Sequence, residues 1–93
     1  MKEYRFKFTV IVPVYNAENY LPEALESLKN QTVGFESIQL ILVNDGSTDK
    51  SGEICREFEK QHKDNVVYLQ KENGGVSSAR NAGIPFIEGK YVN

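Results

Sequence analysis

One cysteine, one histidine and no surplus of basic residues exclude several kinds of function for this 93-residue chain. Cys55 has no second cysteine to pair with, so there is no disulfide framework within the chain and a reducing, cytoplasmic setting fits best. With His62 the only histidine, a metal site built on it is not expected. The 11 basic and 13 acidic side chains give a net charge of −2, without the basic face that nucleic acid or an anionic membrane requires. No run approaches the roughly 18 apolar residues of a membrane span, and Met1-Lys2-Glu3-Tyr4-Arg5 is charged where a signal peptide is apolar. The turn Val14-Tyr15-Asn16-Ala17-Glu18-Asn19 contains no glycine, which excludes the Gly-x-Gly-x-x-Gly fingerprint of dinucleotide-binding oxidoreductases. A Gly-x-x-x-x-Gly-Lys-Ser/Thr phosphate loop is absent as well.

What is present is a globular composition, 40% hydrophobic, in a length that allows one small domain at most. Phe8 to Val14 and Ile38 to Val43 are nearly unbroken β-branched or aliphatic runs, as in strands covered on both faces of a parallel sheet. Asn65 to Gln70 is a shorter third strand, and Gly89 to Asn93 reads as the entry to a fourth. Between them lie helical patterns. Tyr20, Leu21, Ala24, Leu25 and Leu28 form one stripe, on a helix that should begin close to Pro22. Ile54, Cys55 and Phe58 form another, with Ser47 or Thr48 as its cap and Asp49 in its first turn. Cys55 therefore reads as a buried, inert thiol, and His62 as a residue on the surface or at the helix end. A third helix is expected over Val76 to Ile87, with Val76, Ala79, Gly83 and Ile84 inward, although Pro85 should end or kink it. The order β-α-β-α-β-α-β, with right-handed crossovers, predicts an α/β fold with helices on both faces of a Rossmann-like parallel sheet.

Ligands bind such sheets outside the carboxyl ends of the strands. Three polar clusters fall there: Pro13 to Glu18, Asn44 to Asp49, and Lys71 to Ser78. Tyr15 offers a flat face for a nucleobase, a contact worth roughly 1–3 kcal/mol. Asp45, acceptor-only when ionised, suits the imide N–H of a base such as uracil. Asn73, Gly74 and Gly75 place backbone N–H groups ahead of a helix, where sugar or phosphate oxygens can sit. Arg80, a turn further on, can balance phosphate charge. Each cluster alone is also ordinary turn and capping chemistry. Tyr15 can pack on the first helix, Glu18 can act as a first-turn dipole partner, and Arg80 can pair with Glu72. Their coincidence at one edge favours a ligand site.

At these residues the chain resembles the start of a family 2 glycosyltransferase. Val10-Ile11-Val12-Pro13-Val14-Tyr15-Asn16-Ala17-Glu18, Leu28-Lys29-Asn30-Gln31-Thr32, Val43-Asn44-Asp45-Gly46-Ser47-Thr48-Asp49, the block Asn73 to Gly83, and Gly89-Lys90-Tyr91-Val92 follow in the family's order. The resemblance implies a GT-A fold and inverting transfer of a sugar, of hexosyltransferase type, from a UDP-sugar or other nucleotide-sugar. The acceptor it implies is a hydroxyl of a polysaccharide or lipid-linked glycan, as in cell wall biogenesis, with the longer protein working at the inner face of the membrane. Carried over by position, Pro13, Tyr15 and Glu18 match the first nucleotide-binding motif and Asp45 the base reader. Asn73, Gly74 and Arg80 fall in the segment flanking the nucleotide. The family's Asp-x-Asp motif, which holds Mn2+ or Mg2+, does not occur in the 93 residues. Neither metal ligand nor catalytic base is therefore assigned. The expectation is an incomplete, truncated GT-A domain over residues 1–93, inactive alone, that self-associates through its uncovered surface. A non-catalytic nucleotide-binding or interaction module of the same fold is the alternative. An Asp-x-Asp encoded just beyond Asn93 would favour the enzyme, and a stop codon there the module.

Overall fold

The apolar run ending at Asp45 forms the centre of the sheet in a computed structural model that describes residues 5–31 and 34–92. Met1 to Tyr4, Thr32, Val33 and Asn93 lie outside the described residues, and with them most of the charged N-terminal stretch and the Thr32 end of one matched block. The elements follow as β1 (Phe6–Val14), α1 (Leu21–Gln31), β2 (Ile38–Asp45), α2 (Ser51–Gln61), β3 (Val66–Lys71), α3 (Val76–Gly83) and β4 (Gly89–Val92). Short 3-10 turns occupy Phe35–Ser37 and Ile84–Phe86. All neighbouring strands are parallel, in the order β3-β2-β1-β4, so the α/β reading holds.

β2 lies between β1 and β3, and its alternate side chains serve two cores. Leu40 and Leu42 pack with Leu21 and Leu25 of α1 and Cys55 and Phe58 of α2. Ile41 and Val43 pack with Ile11 and with Ala79 of α3. That is why the sequence shows no polar alternation here. Each of the buried Val, Leu, Ile and Phe side chains among them stabilises the fold by about 1.5–3 kcal/mol relative to exposure. After β3 the chain crosses to the other side of β1, which places α3 on the opposite face and a topological switch point between β1 and β4.

A buried polar network seats β4. Thr9 donates to Gln39 Oε1 at 2.8 Å and accepts the Gly89 N–H at 2.8 Å. Gln39 Oε1 also accepts the Glu88 N–H at 2.7 Å, while its Nε2 donates to the Phe86 carbonyl at 2.7 Å. Thr9 and Gln39 are fully buried and fully bonded, the condition under which interior polar groups are tolerated. β4 runs only partway along β1: Val92 pairs with Thr9, five residues short of Val14.

Several local expectations need correction. Tyr20 and Ala24 are exposed, so Leu21 and Leu25 carry the buried face of α1. The third helix ends at Gly83 rather than Ile87 and tightens into the 3-10 turn containing Pro85, whose ring nitrogen has no hydrogen to donate. Ala79 and Gly83 face inward as expected, but Val76 and Ile84 are exposed. α2 begins at Ser51, too late for Ser47 or Thr48 to cap it. Cys55 is fully buried, and burial pushes its thiol up to about 12, so it stays protonated and inert. His62 follows α2, its ring against Phe35 and Phe58 at 5.4 and 4.6 Å between centroids.

Candidate functional site

The three strand exits converge on one edge, as parallel pairing requires. The loops after β1 and β2 are fastened by side chains onto backbone. Asn16 adopts a left-handed φ of 46°, which asparagine tolerates better than most residues. Its N–H donates to Ser47 Oγ at 3.0 Å, and its Oδ1 accepts the Thr48 N–H at 2.8 Å. The Ala17 N–H reaches Ser51 Oγ at 2.8 Å, and the Glu18 N–H reaches Asp49 Oδ2 at 3.1 Å. Asn44 braces the turn from below, accepting the Ser47 N–H and donating to the Tyr68 hydroxyl at 2.9 Å. Ser47, Thr48 and Asp49 thus tie two loops together. Asp49 also accepts the Ser51 N–H at 2.9 Å, the part of its expected role at the helix start that survives.

Asp45 joins the second loop to the third. Its side chain is almost completely buried, yet both oxygens are engaged. Oδ1 accepts from Lys71 Nζ at 2.9 Å and from the Gly74 N–H at 2.9 Å; Oδ2 accepts the Gly75 N–H at 3.0 Å. Asn73 Nδ2 donates to the Asp45 carbonyl at 3.0 Å. The turn needs Gly46 for two reasons: φ is 76°, and a Cβ there would sit 2.7 Å from the Asn73 nitrogen. The Gly74 and Gly75 N–H groups, expected to be bare toward a ligand, are instead given to Asp45.

The Lys71 hydrogen bond, then the Gly74 N–H, hold the Asp45 carboxyl below the usual carboxylate range against the opposing effect of burial. Burial also opposes the charge on Asp49, but hydrogen bonds from Ser51 and from the Glu18 N–H outweigh it, so its pKa is lowered too. Both groups are more acidic folded than unfolded. Their contribution to stability is therefore present above the ordinary carboxylate value of about 3.9 and is lost as the pH falls through the depressed folded values. The Gly74 and Gly75 amide resonances should stay fixed from neutral pH to about pH 4 and move only below it. Movement centred near pH 6 would contradict this assignment of the bonds.

The remaining expected residues lie on β1, in the loop after it and on α3. Pro13 lies near the end of β1, half-buried and paired with Val43. Tyr15 is exposed, one residue past the Val14–Asn44 pairing and so on the strand exit next to Asp45. Glu18 is half-buried in the first loop, and Arg80 is half-buried within α3. Asp45, Asn73 and Gly74 are in direct contact; Tyr15 and Glu18 join them through the fastened loops. Lys71 was not singled out from the sequence. Its signal was there in the register, since Asp45 and Lys71 are paired positions at the ends of β2 and β3. Among the described residues no group of three or more His, Cys, Asp or Glu is placed to hold a metal ion. The divalent metal implied by the resemblance has no donor set among the described residues.

Known proteins resemble this chain in sequence and in fold. The minor teichoic acid biosynthesis protein GgaB of Bacillus subtilis is 57% identical over 91 residues, covering 98% of this chain and 10% of GgaB. The glycosyltransferase GlyA of Streptococcus pneumoniae is 53% identical over 87 residues, covering 92% of this chain and 12% of its own. Among solved structures, the mannosyltransferase PcManGT of Pyrobaculum calidifontis, in complex with GDP-Man and Mn2+, superposes with a TM-score of 0.82 at 27% identity, over 96% of this chain and 26% of that one. S. aureus TarS in complex with UDP-GlcNAc gives 0.81 at 36% identity, over 94% and 25%. The chain thus spans between a tenth and about a quarter of the relatives and structures it matches. Its parallel sheet is that of the GT-A glycosyltransferases. Residues 9–92 match Glycosyl transferase family 2 along almost the whole chain, and the protein belongs to that family.

Proposed function

We propose that residues 1–93 are the nucleotide-binding portion of an inverting, hexosyl-transferring enzyme that takes its sugar from a UDP-sugar. One observation carries the reading: an ionised, nearly buried Asp45 stands where three strand exits meet, with exposed Tyr15 on the adjoining strand end. In this arrangement the Tyr15 ring stacks on the base and Asp45 accepts the imide N–H. Pro13 and Glu18 shape the first loop, Asn73 and Gly74 flank the ribose side, and Arg80 offsets phosphate charge. TarS in complex with UDP-GlcNAc and GgaB in minor teichoic acid biosynthesis support a uridine donor and a cell-wall glycan or lipid-linked acceptor. The unpaired Cys55 supports a cytoplasmic setting, where the longer protein works at the inner membrane face. No helix among the described residues is long and apolar enough to cross a membrane.

The 93 residues alone bind nucleotide and transfer nothing, because no Asp-x-Asp occurs among them to hold the metal that neutralises a leaving diphosphate. Incubating the purified chain with UDP-GlcNAc and Mn2+ should give saturable binding without release of UDP. Measurable sugar transfer or donor hydrolysis would overturn the inert part of this reading, and absence of binding would overturn the rest. The second reading is a non-catalytic nucleotide-binding or interaction module of the same fold, which as a nucleotide binder shares the binding result but requires no catalytic half.

Self-association belongs to the same proposal. Phe8 and Tyr91 are 40% and 51% exposed, with ring centroids 5.7 Å apart on β1 and on edge strand β4. Such an exposed apolar patch on the sheet face favours burial against a second copy. Sedimentation should find a dimer or larger species at working concentration; a strictly monomeric boundary would refute it.

A further inference from the structure

Lys71 does more than join two strand ends. We infer that it is the positioning residue of the nucleobase reader, fixing the Asp45 carboxylate so that the open acceptor direction accepts only a base presenting an N–H. The inference rests on the proposed role of Asp45 and deepens it. An ionised carboxylate has about four acceptor positions. Lys71 Nζ and the Gly74 N–H occupy Oδ1, and the Gly75 N–H takes one position on Oδ2. A single position on Oδ2 is left for a ligand. Lys71 sets which one, because its ammonium is itself restrained: it is paired in register across from Asp45 and donates to the Glu72 carbonyl as well. The pair is more than a solvated surface contact, with side-chain exposures of 23% for Lys71 and 6% for Asp45.

The chemistry follows from what the ammonium excludes. With Lys71 in place, Asp45 remains a pure acceptor and its Oδ1 edge is closed to the ligand. A base with an imide N–H, such as uracil, completes Oδ2. A base with a bare ring nitrogen at that position, such as cytosine, sets a lone pair against a carboxylate. Without Lys71 the carboxylate is held by the Gly74 and Gly75 N–H groups alone, an acceptor position on Oδ1 reopens, and the ligand is no longer confined to the one position on Oδ2.

The test compares binding of UDP and CDP to the 93-residue chain and to its Lys71→Met, Lys71→Arg and Asp45→Ala variants, with thermal melts to verify folding. The wild-type chain should prefer UDP. Lys71→Met should weaken UDP by roughly tenfold or more, the usual effect of losing a charged hydrogen bond, and narrow the UDP-to-CDP ratio. Lys71→Arg should restore both. The Asp45 carboxyl 13C titration, read without ligand, should move to higher pH in Lys71→Met and return in Lys71→Arg. Lys71→Met that keeps the affinity, the base preference and the Asp45 titration of the wild type overturns the inference while leaving Asp45 as base reader. Asp45→Ala that keeps UDP binding, or a wild-type chain that binds no UDP, overturns the proposed reading and this inference with it.

Discussion

Asp45→Ala should remove uridine-nucleotide binding from this chain and unfasten the loop beside the site. The two effects share one cause. The carboxylate accepts from Lys71, Gly74 and Gly75, so its loss leaves a cation and two backbone N–H groups without their acceptor at a part-buried junction. The segment from Glu72 to Gly75 then keeps the Asn73 side chain, bonded to the Asp45 carbonyl, as a tie to β2. UDP titrations should show no saturable shifts in the variant, and amide exchange at Gly74 and Gly75 should accelerate while the β2 core stays protected. Unchanged titration shifts would remove Asp45 from the site. Unchanged exchange would mean that the loop is held by something other than this carboxylate.

Gly89→Ala should cost the chain its fourth strand. A Cβ at this position would lie 2.4 Å from Thr9 Oγ1 and 2.6 Å from both the Phe8 carbonyl carbon and the Thr9 nitrogen. Two of those atoms are backbone of β1, which pairs with β2 along seven positions and has no room to yield. β4 has to lift away instead, which breaks the Gly89-to-Thr9 hydrogen bond and strands the bonds of Gln39 to Glu88 and Phe86. Overpacking of this kind costs about 1–3 kcal/mol and occasionally more; backbone obstruction puts this substitution at the upper end. Denaturant unfolding should register the loss, and exchange protection at Lys90 to Val92 should vanish. A variant that retains wild-type stability and a protected β4 would show that the strand does not approach β1 this closely.

Much of this architecture is legible in the sequence because the parallel sheet imposes simple patterns. The unbroken apolar run of β2 signals burial on both faces, and Cys55 and Phe58 mark the inward stripe of α2 correctly. Pro85 announces the end of α3, though only the packing shows that the chain tightens into a 3-10 turn there rather than continuing to Ile87. Tyr20 and Val76 mislead because hydrophobic spacing records what a residue can bury, not whether a neighbour is there to cover it. Thr9 and Gln39 are hidden for the opposite reason: they are polar residues inside apolar strands, and their purpose emerges only when Gly89 arrives from 80 residues away. The site divides in the same manner. Clusters at the strand exits can be found from topology alone, and Asp45 from its chemistry. Lys71 required the register between β2 and β3, and the use of Ser47, Ser51 and Asp49 by the neighbouring loop required knowing how close the exits of β1 and β2 lie.

A site at the carboxyl edge of the sheet is the central claim, and a 15N–1H titration of the 93-residue chain with UDP tests it most directly. Saturable shifts should be confined to Tyr15–Glu18, Asp45–Asp49 and Glu72–Val76, the three exits that the fold brings together. Shifts clustering at the opposite end of the strands, around Glu36, Ser37 and Lys90, or no saturable shifts at all, would contradict it.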